Sequence, residues 1–245
     1  MNAFRAGWRL VRVLSHALAG WRTIAVRFPR MDRLQREQAV QLWSQRMLAV
    51  LGVGLEVRGL APGKGPLMLV ANHISWLDIL VMHAAAHCRF VSKSDVAHWP
   101  LIGRLATGAG TLYIARESRR DALRVVHHMT TSLLEGDILA VFPEGTTSDG
   151  ITLLPFHANL IQAAVSAHAP VQPVALRFID AASGQISLTP CYIGDDSLVG
   201  SLWRTVSGPP ITAIVSYGEP QLSQGRDRRA WARDLHASVT DLRQA

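Results

Sequence analysis

The chain has 245 residues, 49% of them hydrophobic, which is enough for one large α/β domain with its own core, and no internal repeat or low-complexity tract breaks it up. Twenty-five Lys and Arg against 18 Asp and Glu leave a net charge of +7, which favours an anionic partner, either nucleic acid or an anionic membrane surface. Cys88 and Cys191 lie far apart without metal-ligand spacing and read as free thiols of a reducing compartment, and no window has the ~18 uncharged apolar residues of a transmembrane helix.

The first element reads as a helix. Leu10, Leu14, Ala17, Trp21, Ile24 and Phe28 recur at steps of three or four and share one face. Arg5, Arg9, Arg12, His16, Thr23, Arg27 and Arg30 fall on the other, with Arg22 as the exception. Arg12 and His16 interrupt the apolar core that a signal peptide needs. A basic face opposite an apolar one, with Trp8 and Trp21, suits a helix lying in a membrane interface. The competing reading is a lid over the protein's own core that leaves its arginines in water. Pro29 ends this helix, and Asp32 caps a second from Arg33 to Leu51, closed by Gly52 and Gly54. A border is therefore expected between residues 1–52, a pair of amphipathic helices, and residues 53–245, an α/β domain.

Beyond that border short apolar runs alternate with helical stretches. Strands are expected at Leu55–Gly59, Leu67–Ala71, Arg89–Ser92, Thr111–Ala115, Ile138–Phe142, Val171–Phe178 and Ile211–Tyr217. Helices are expected at Trp76–Ala86, Arg119–Leu134, Ala158–Ala167 and Arg228–Arg243. Such alternation predicts a mostly parallel sheet flanked by helices.

His73 and Asp78 form a candidate titratable pair at a strand-to-helix junction. In a continuous helix, positions five apart diverge by about 140°, so the two meet only if His73 lies in the turn before the helix and Asp78 in its first turn. Ser75-Trp76-Leu77-Asp78 has the pattern of a capping box, which would build such a turn. Two readings follow. Either Asp78 caps a helix and His73 is a polar turn residue, or Asp78 orients His73 as a general base toward a hydroxyl.

Farther on, His83 and His87 stand one helical turn apart beside Cys88, without the glutamate of a His-Glu-x-x-His site or a third ligand, so no metal is expected. The run Gly110–Arg116 ends a strand on Arg116, which could hold a phosphate with two parallel hydrogen bonds or pair with Glu117 at the surface. Phe142-Pro143-Glu144-Gly145-Thr146-Thr147-Ser148-Asp149-Gly150 follows the apolar strand Ile138–Val141. It reads either as an ordinary Asp/Gly turn or as a site where a carboxylate, a close backbone approach at Gly145 and three hydroxyls meet a ligand. Pro170 and Pro173 bracket the start of the next strand and read as wall.

Together these runs resemble the lysophospholipid acyltransferase family, which includes bacterial 1-acylglycerol-3-phosphate acyltransferases. Four blocks in order carry the resemblance: Asn72-His73-x4-Asp78, Gly110–Arg116 with Tyr113 where phenylalanine is frequent, Phe142-Pro143-Glu144-Gly145, and Pro170–Pro173. The resemblance implies acyl transfer from acyl-CoA or acyl-carrier protein, with no bound cofactor, to the free hydroxyl of a lysolipid. The first acceptor it suggests is 1-acyl-sn-glycerol-3-phosphate, giving phosphatidic acid. His73 would be the base and Asp78 its orienting partner, while Asn72, Arg116, Glu144, Gly145 and Thr146 would bind the acceptor. The protein would lie peripherally, or monotopically, at the cytoplasmic face of an anionic membrane, held there by its N-terminal helices.

Two positions depart from the common family pattern. Thr147 stands where many relatives carry arginine, and His157-Ala158 where many carry a basic residue and glycine. Lys93-Ser94-Asp95 and Phe142–Gly150 look like the lyso-ornithine lipid acyltransferase subgroup, whose acceptor has no phosphate, and that is the alternative acceptor. A nucleic-acid module would draw on the net charge alone; the chain has no aromatic-basic RNA-binding motif, so no nucleic-acid partner is expected. A thioesterase using the same histidine would release free fatty acid without any lysolipid.

Overall fold

Two helices lead the chain. α1 (Ala3–Val26) is followed by a 3-10 turn, Phe28–Arg30, where Pro29 has no N–H to continue a helix. α2 (Arg33–Leu51) is framed by the residues that its sequence marks. Asp32 and Gln35 form a reciprocal capping box, and Gly52 closes the helix in the left-handed region at φ 78°.

The computed structural model describes residues 3–114 and 119–244, and within them seven strands form one sheet. The strands are β1 (Val53–Arg58), β2 (Leu67–Ala71), β3 (Arg89–Lys93), β4 (Leu112–Ile114), β5 (Ile138–Val141), β6 (Val171–Asp180) and β7 (Ile211–Tyr217). Their spatial order is β1-β7-β6-β2-β5-β3-β4, and every neighbouring pair is parallel except β6 with β7. Each expected strand is present, and β2 and β7 have the expected limits.

The sheet carries α3 (Leu77–Ala85), α4 (Ile102–Gly108), α5 (Arg119–Leu134), α6 (Ile161–Ala167), α7 (Leu198–Ser207) and α8 (Arg228–Gln244). α4 and α7 were not expected. α4 has seven residues, Gly103 and Gly108 among them, too few to show a period. α7 starts at a cap, Ser197 accepting from the Gly200 N–H, but Gly200 and Gly208 make the segment read as loop.

Every residue of β2 is buried, as befits a parallel strand covered on both faces. Leu67, Leu69 and Ala71 pack with Met47 and Leu48 of α2 and with Leu77 and Val81 of α3. Met68 and Val70 pack on the other face with Met129 and Leu133 of α5, Ile161 of α6 and Trp231 of α8. Packing is continuous across the border near residue 53, since Val13 and Ala17 of α1 belong to the same core as β2.

α1 divides differently from its sequence pattern. Ala6, Val13, Ala17 and Gly20 are turned into the protein, and a Cβ on Gly20 would meet the Trp43 Nε1 at 2.5 Å. Phe4, Trp8, Val11, Leu14, Leu18 and Val26 are exposed, Phe4 and Trp8 to 86% and 61%. Leu14 and Trp21, expected on one face with Ala17, thus lie outside it. The helix has two apolar sides, and a single-period reading merges them. Among the described residues no helix is long and apolar enough to cross a membrane.

Candidate active site

β2 is the central strand from which the chain departs in one direction to β3 and is rejoined on its other side by β6, so the crevice beyond its C-terminal end is a topological switch point. Its ladder with β6 ends at Ala71. The side chain of Asn72 then takes over: its Oδ1 accepts from the Leu176 N–H at 2.7 Å and its Nδ2 donates to the Leu176 carbonyl at 3.0 Å. A side-chain amide thus replaces a peptide group, and the main chain is free to turn away at His73.

His73 lies in that turn and Asp78 in the first turn of α3, as the spacing requires. The His73 Nδ1 is 2.7 Å from Asp78 Oδ2, which also accepts from the N–H groups of Ile74 at 2.6 Å and Ser75 at 2.9 Å. The Ser75 Oγ accepts from the Leu77 N–H at 3.3 Å rather than from Asp78. Only the carboxylate half of the expected capping box is formed, and it binds two amides and an imidazole with one oxygen. Asp78 is fully buried, whereas the His73 side chain is 19% exposed. A carboxylate accepts only, so Nδ1 donates and Nε2 is the basic nitrogen of the neutral ring. The Phe142 ring lies flat on the imidazole, centroids 3.9 Å apart and planes 6° from parallel.

The loop after β5 brackets the main chain of His73. Its N–H donates to Glu144 Oε1 at 2.6 Å, and its carbonyl accepts from the Ser148 N–H at 2.8 Å and the Ser148 Oγ at 3.1 Å. The second oxygen of Glu144 accepts from the Leu154 N–H at 2.9 Å. Burial pushes the Glu144 carboxyl above its ordinary range, and the amides of His73 and Leu154 oppose that rise. Gly145 holds φ at 74°, with the exposed His157 ring beside it, 3.2 Å from where a Cβ would sit. Thr147 donates its hydroxyl to the Tyr192 carbonyl, and the Tyr192 N–H donates to the Ile74 carbonyl at 3.1 Å.

A buried carboxylate on the far side of an imidazole, at a sheet edge with an open histidine nitrogen, is the arrangement for drawing a proton from a hydroxyl. Comparison with known proteins gives the chain a family. The family model described as Acyltransferase matches residues 54–177. The chain is 37% identical to a lyso-ornithine lipid O-acyltransferase of Pseudomonas aeruginosa, over 92% of this chain and 86% of that one. It is 39% identical to a 1-acyl-sn-glycerol-3-phosphate acyltransferase of Neisseria gonorrhoeae, over 74% of this chain and 71% of that one. The chain belongs to the acyltransferase family. The crystal structure of a 1-acyl-sn-glycerophosphate acyltransferase from Thermotoga maritima has the same fold, with a TM-score of 0.63 at 18% identity over 94% of this chain and 95% of that one.

Within this acyltransferase, the structure brings His73, Asp78, Glu144 and Gly145 to one sheet edge, with Thr146 exposed on the adjoining loop. Asn72 and Glu144, which the family resemblance implies as acceptor-binding, have their polar atoms bonded to backbone groups of Leu176, His73 and Leu154. The physical reason is burial: each is within 4% of complete coverage, and a buried amide or carboxylate must find its partners inside. Arg116 lies outside the described residues. His83 and His87 stack at 5.5 Å, and among the described residues no three His, Cys, Asp or Glu side chains converge on a metal-sized site.

Sequence reasoning missed three contributors. Ser201 of α7 accepts from the indole N–H of Trp76 at 3.0 Å, Arg204 joins the Cys191 carbonyl to Asp196, and Arg243 of α8 reaches the loop after Glu144. The Ser197 cap, followed by Leu198, Leu202 and Val206 at four-residue steps, was the signal that could have revealed α7.

Proposed function

We propose that this acyltransferase moves an acyl group from acyl-CoA or acyl-carrier protein to the free hydroxyl of a lysolipid, with His73 as general base. The observation that carries the reading is the 2.7 Å contact between His73 Nδ1 and the buried Asp78 carboxylate. That contact fixes the tautomer, leaves Nε2 to take the hydroxyl proton and stabilises the imidazolium that forms. The alkoxide then attacks the thioester carbonyl, the carbon–sulfur bond breaks, and the imidazolium returns its proton to the departing thiolate. No covalent acyl-enzyme is required. Positioning and base catalysis supply the rate.

For the acceptor we read 1-acyl-sn-glycerol-3-phosphate first, with the Neisseria relative and the Arg116 block in support. A second reading, lyso-ornithine lipid, draws on a specific observation: Thr147 spends its hydroxyl on the Tyr192 carbonyl, and His157 rather than a lysine or arginine flanks Gly145. The exposed apolar side of α1, bordered by Arg5, Arg12 and Arg22, supports residence on the cytoplasmic surface of an anionic bilayer, where both substrates meet.

One assay tests the reading. Labelled acyl-CoA and acyl-carrier protein are incubated with the protein, vesicles and each lysolipid, and the products are separated by head group. Labelled diacyl product that disappears in His73→Ala is expected. Labelled free fatty acid alone, formed equally without lysolipid, would make the protein a thioesterase.

A further inference from the structure

Arg243, in the last turn of α8, reaches across to the loop that brackets His73. Its Nη2 donates to the carbonyls of Gly150 and Ile151, the second at 2.9 Å, and its own carbonyl accepts from Arg177 Nη1 at 2.8 Å. The Nε atoms of both arginines are buried without a partner. Burial pushes the Arg243 guanidinium below its ordinary range, with Glu144 and Asp149 opposing and Arg177 adding to the effect. A half-buried guanidinium beside a second one, each with an unmatched donor, is a costly way to fasten a surface loop.

What it fastens is specific. Gly150 and Ile151 lie between Ser148, which donates twice to the His73 carbonyl, and Leu154, whose N–H is held by Glu144. Gly150 also rests against the neighbour of His73: a Cβ there would come within 2.9 Å of Ile74 Cδ1. The stretch is therefore tied to the backbone of His73 on its inner side and to α8 on its outer side.

We propose that Arg243 is a positioning residue for the transfer reaction. By holding the Glu144–Leu154 loop against α8, it keeps the main chain on both sides of His73 in place, so that the imidazole stays on Asp78 as the acceptor enters. The proposal rests on the reading of His73 as the base.

The test uses the full chain in vesicles. Arg243→Met keeps the apolar stem without the guanidinium, and Arg243→Lys keeps a donor. Steady-state kinetics, amide hydrogen exchange and thermal midpoint are measured for each. Arg243→Met is expected to lower kcat about ten- to hundredfold, the scale of an ångström misplacement, with KM for the acyl thioester unchanged within about twofold. Exchange should quicken at Ser148, Leu154 and His73 while the amides of β2 and β6 stay protected, and Arg243→Lys should recover part of kcat. Unchanged kcat in Arg243→Met would overturn the proposal, whatever the loop's exchange rate. A fall in kcat accompanied by equal loss of protection throughout β2 and β6 would also overturn it, making Arg243 a residue of general stability. A wild type that transfers no acyl group would refute the functional reading itself, so the two failures are told apart by that control.

Discussion

Asn72 and Leu176 pair like two residues of adjacent strands, although one partner is a side chain. Both hydrogen bonds are buried, and without them the N–H and carbonyl of Leu176 would face an apolar interior. Asn72→Leu is therefore expected to destabilise the fold by about 2–4 kcal/mol, the cost of two orphaned backbone groups. Urea unfolding measures it. A loss below the range of one unmet hydrogen bond would mean that water or a shifted strand replaces the amide.

Asp78 concentrates its contacts on one oxygen, which takes the imidazole and two amides. Asp78→Asn, with its amide oxygen in the place of Oδ2, should keep the turn and the contact to Nδ1 but remove the negative charge that stabilises the imidazolium, lowering kcat by about 10²–10⁴ with little change in KM. His73→Gln should remove turnover altogether. Comparable kcat in Asp78→Asn and wild type would show that Asp78 builds the turn and does nothing more.

His83 supplies a pH dependence. It is 4% exposed, and burial, with His87 adding, pushes its ring from 6.5 down to about 3. The unfolded chain takes up a proton below its ordinary value that the folded chain refuses until about 3, so stability is full above pH 6.5 and falls as pH drops through that window. The folding free energy of wild type should decline by up to about 1 kcal/mol for each pH unit below 6, relative to His83→Leu. Denaturant titrations of the two proteins at matched pH give the difference, and parallel curves would assign the titration elsewhere.

The outer side of α1 is expected to carry membrane affinity. Trp8→Glu with Leu18→Glu places charge on exposed positions without touching the core. Co-sedimentation with anionic vesicles should weaken at least about tenfold, while transfer to an acceptor dispersed in detergent stays near wild type. Undiminished sedimentation of the double variant would move the membrane contact to another surface.

How legible was all this in the sequence? The His73–Asp78 contact was legible as one of two readings, because six consecutive residues allow a single turn in which the two side chains touch but fit a plain helix cap as well. The sheet was legible too, since buried parallel strands read as apolar runs. The hydrogen bonds of Glu144 were not: a sequence displays a carboxylate but not the amides of His73 and Leu154 from which it accepts. Periodicity found α1 but could not say which of two apolar sides meets the core. Arg243 looked like any basic residue in a last helical turn, and only the approach of α8 to the loop after β5 gives it a partner.

The two apolar sides of α1 bear on how the protein can be handled. Deleting the first 26 residues to obtain a more soluble form would strip Val13 and Ala17 from the cluster that holds Met47, Leu48 and Leu51. The truncated chain would exchange one sticky surface for another, this time over its own sheet. Solubility is better sought by recharging the outward side residue by residue, with the inward side left whole.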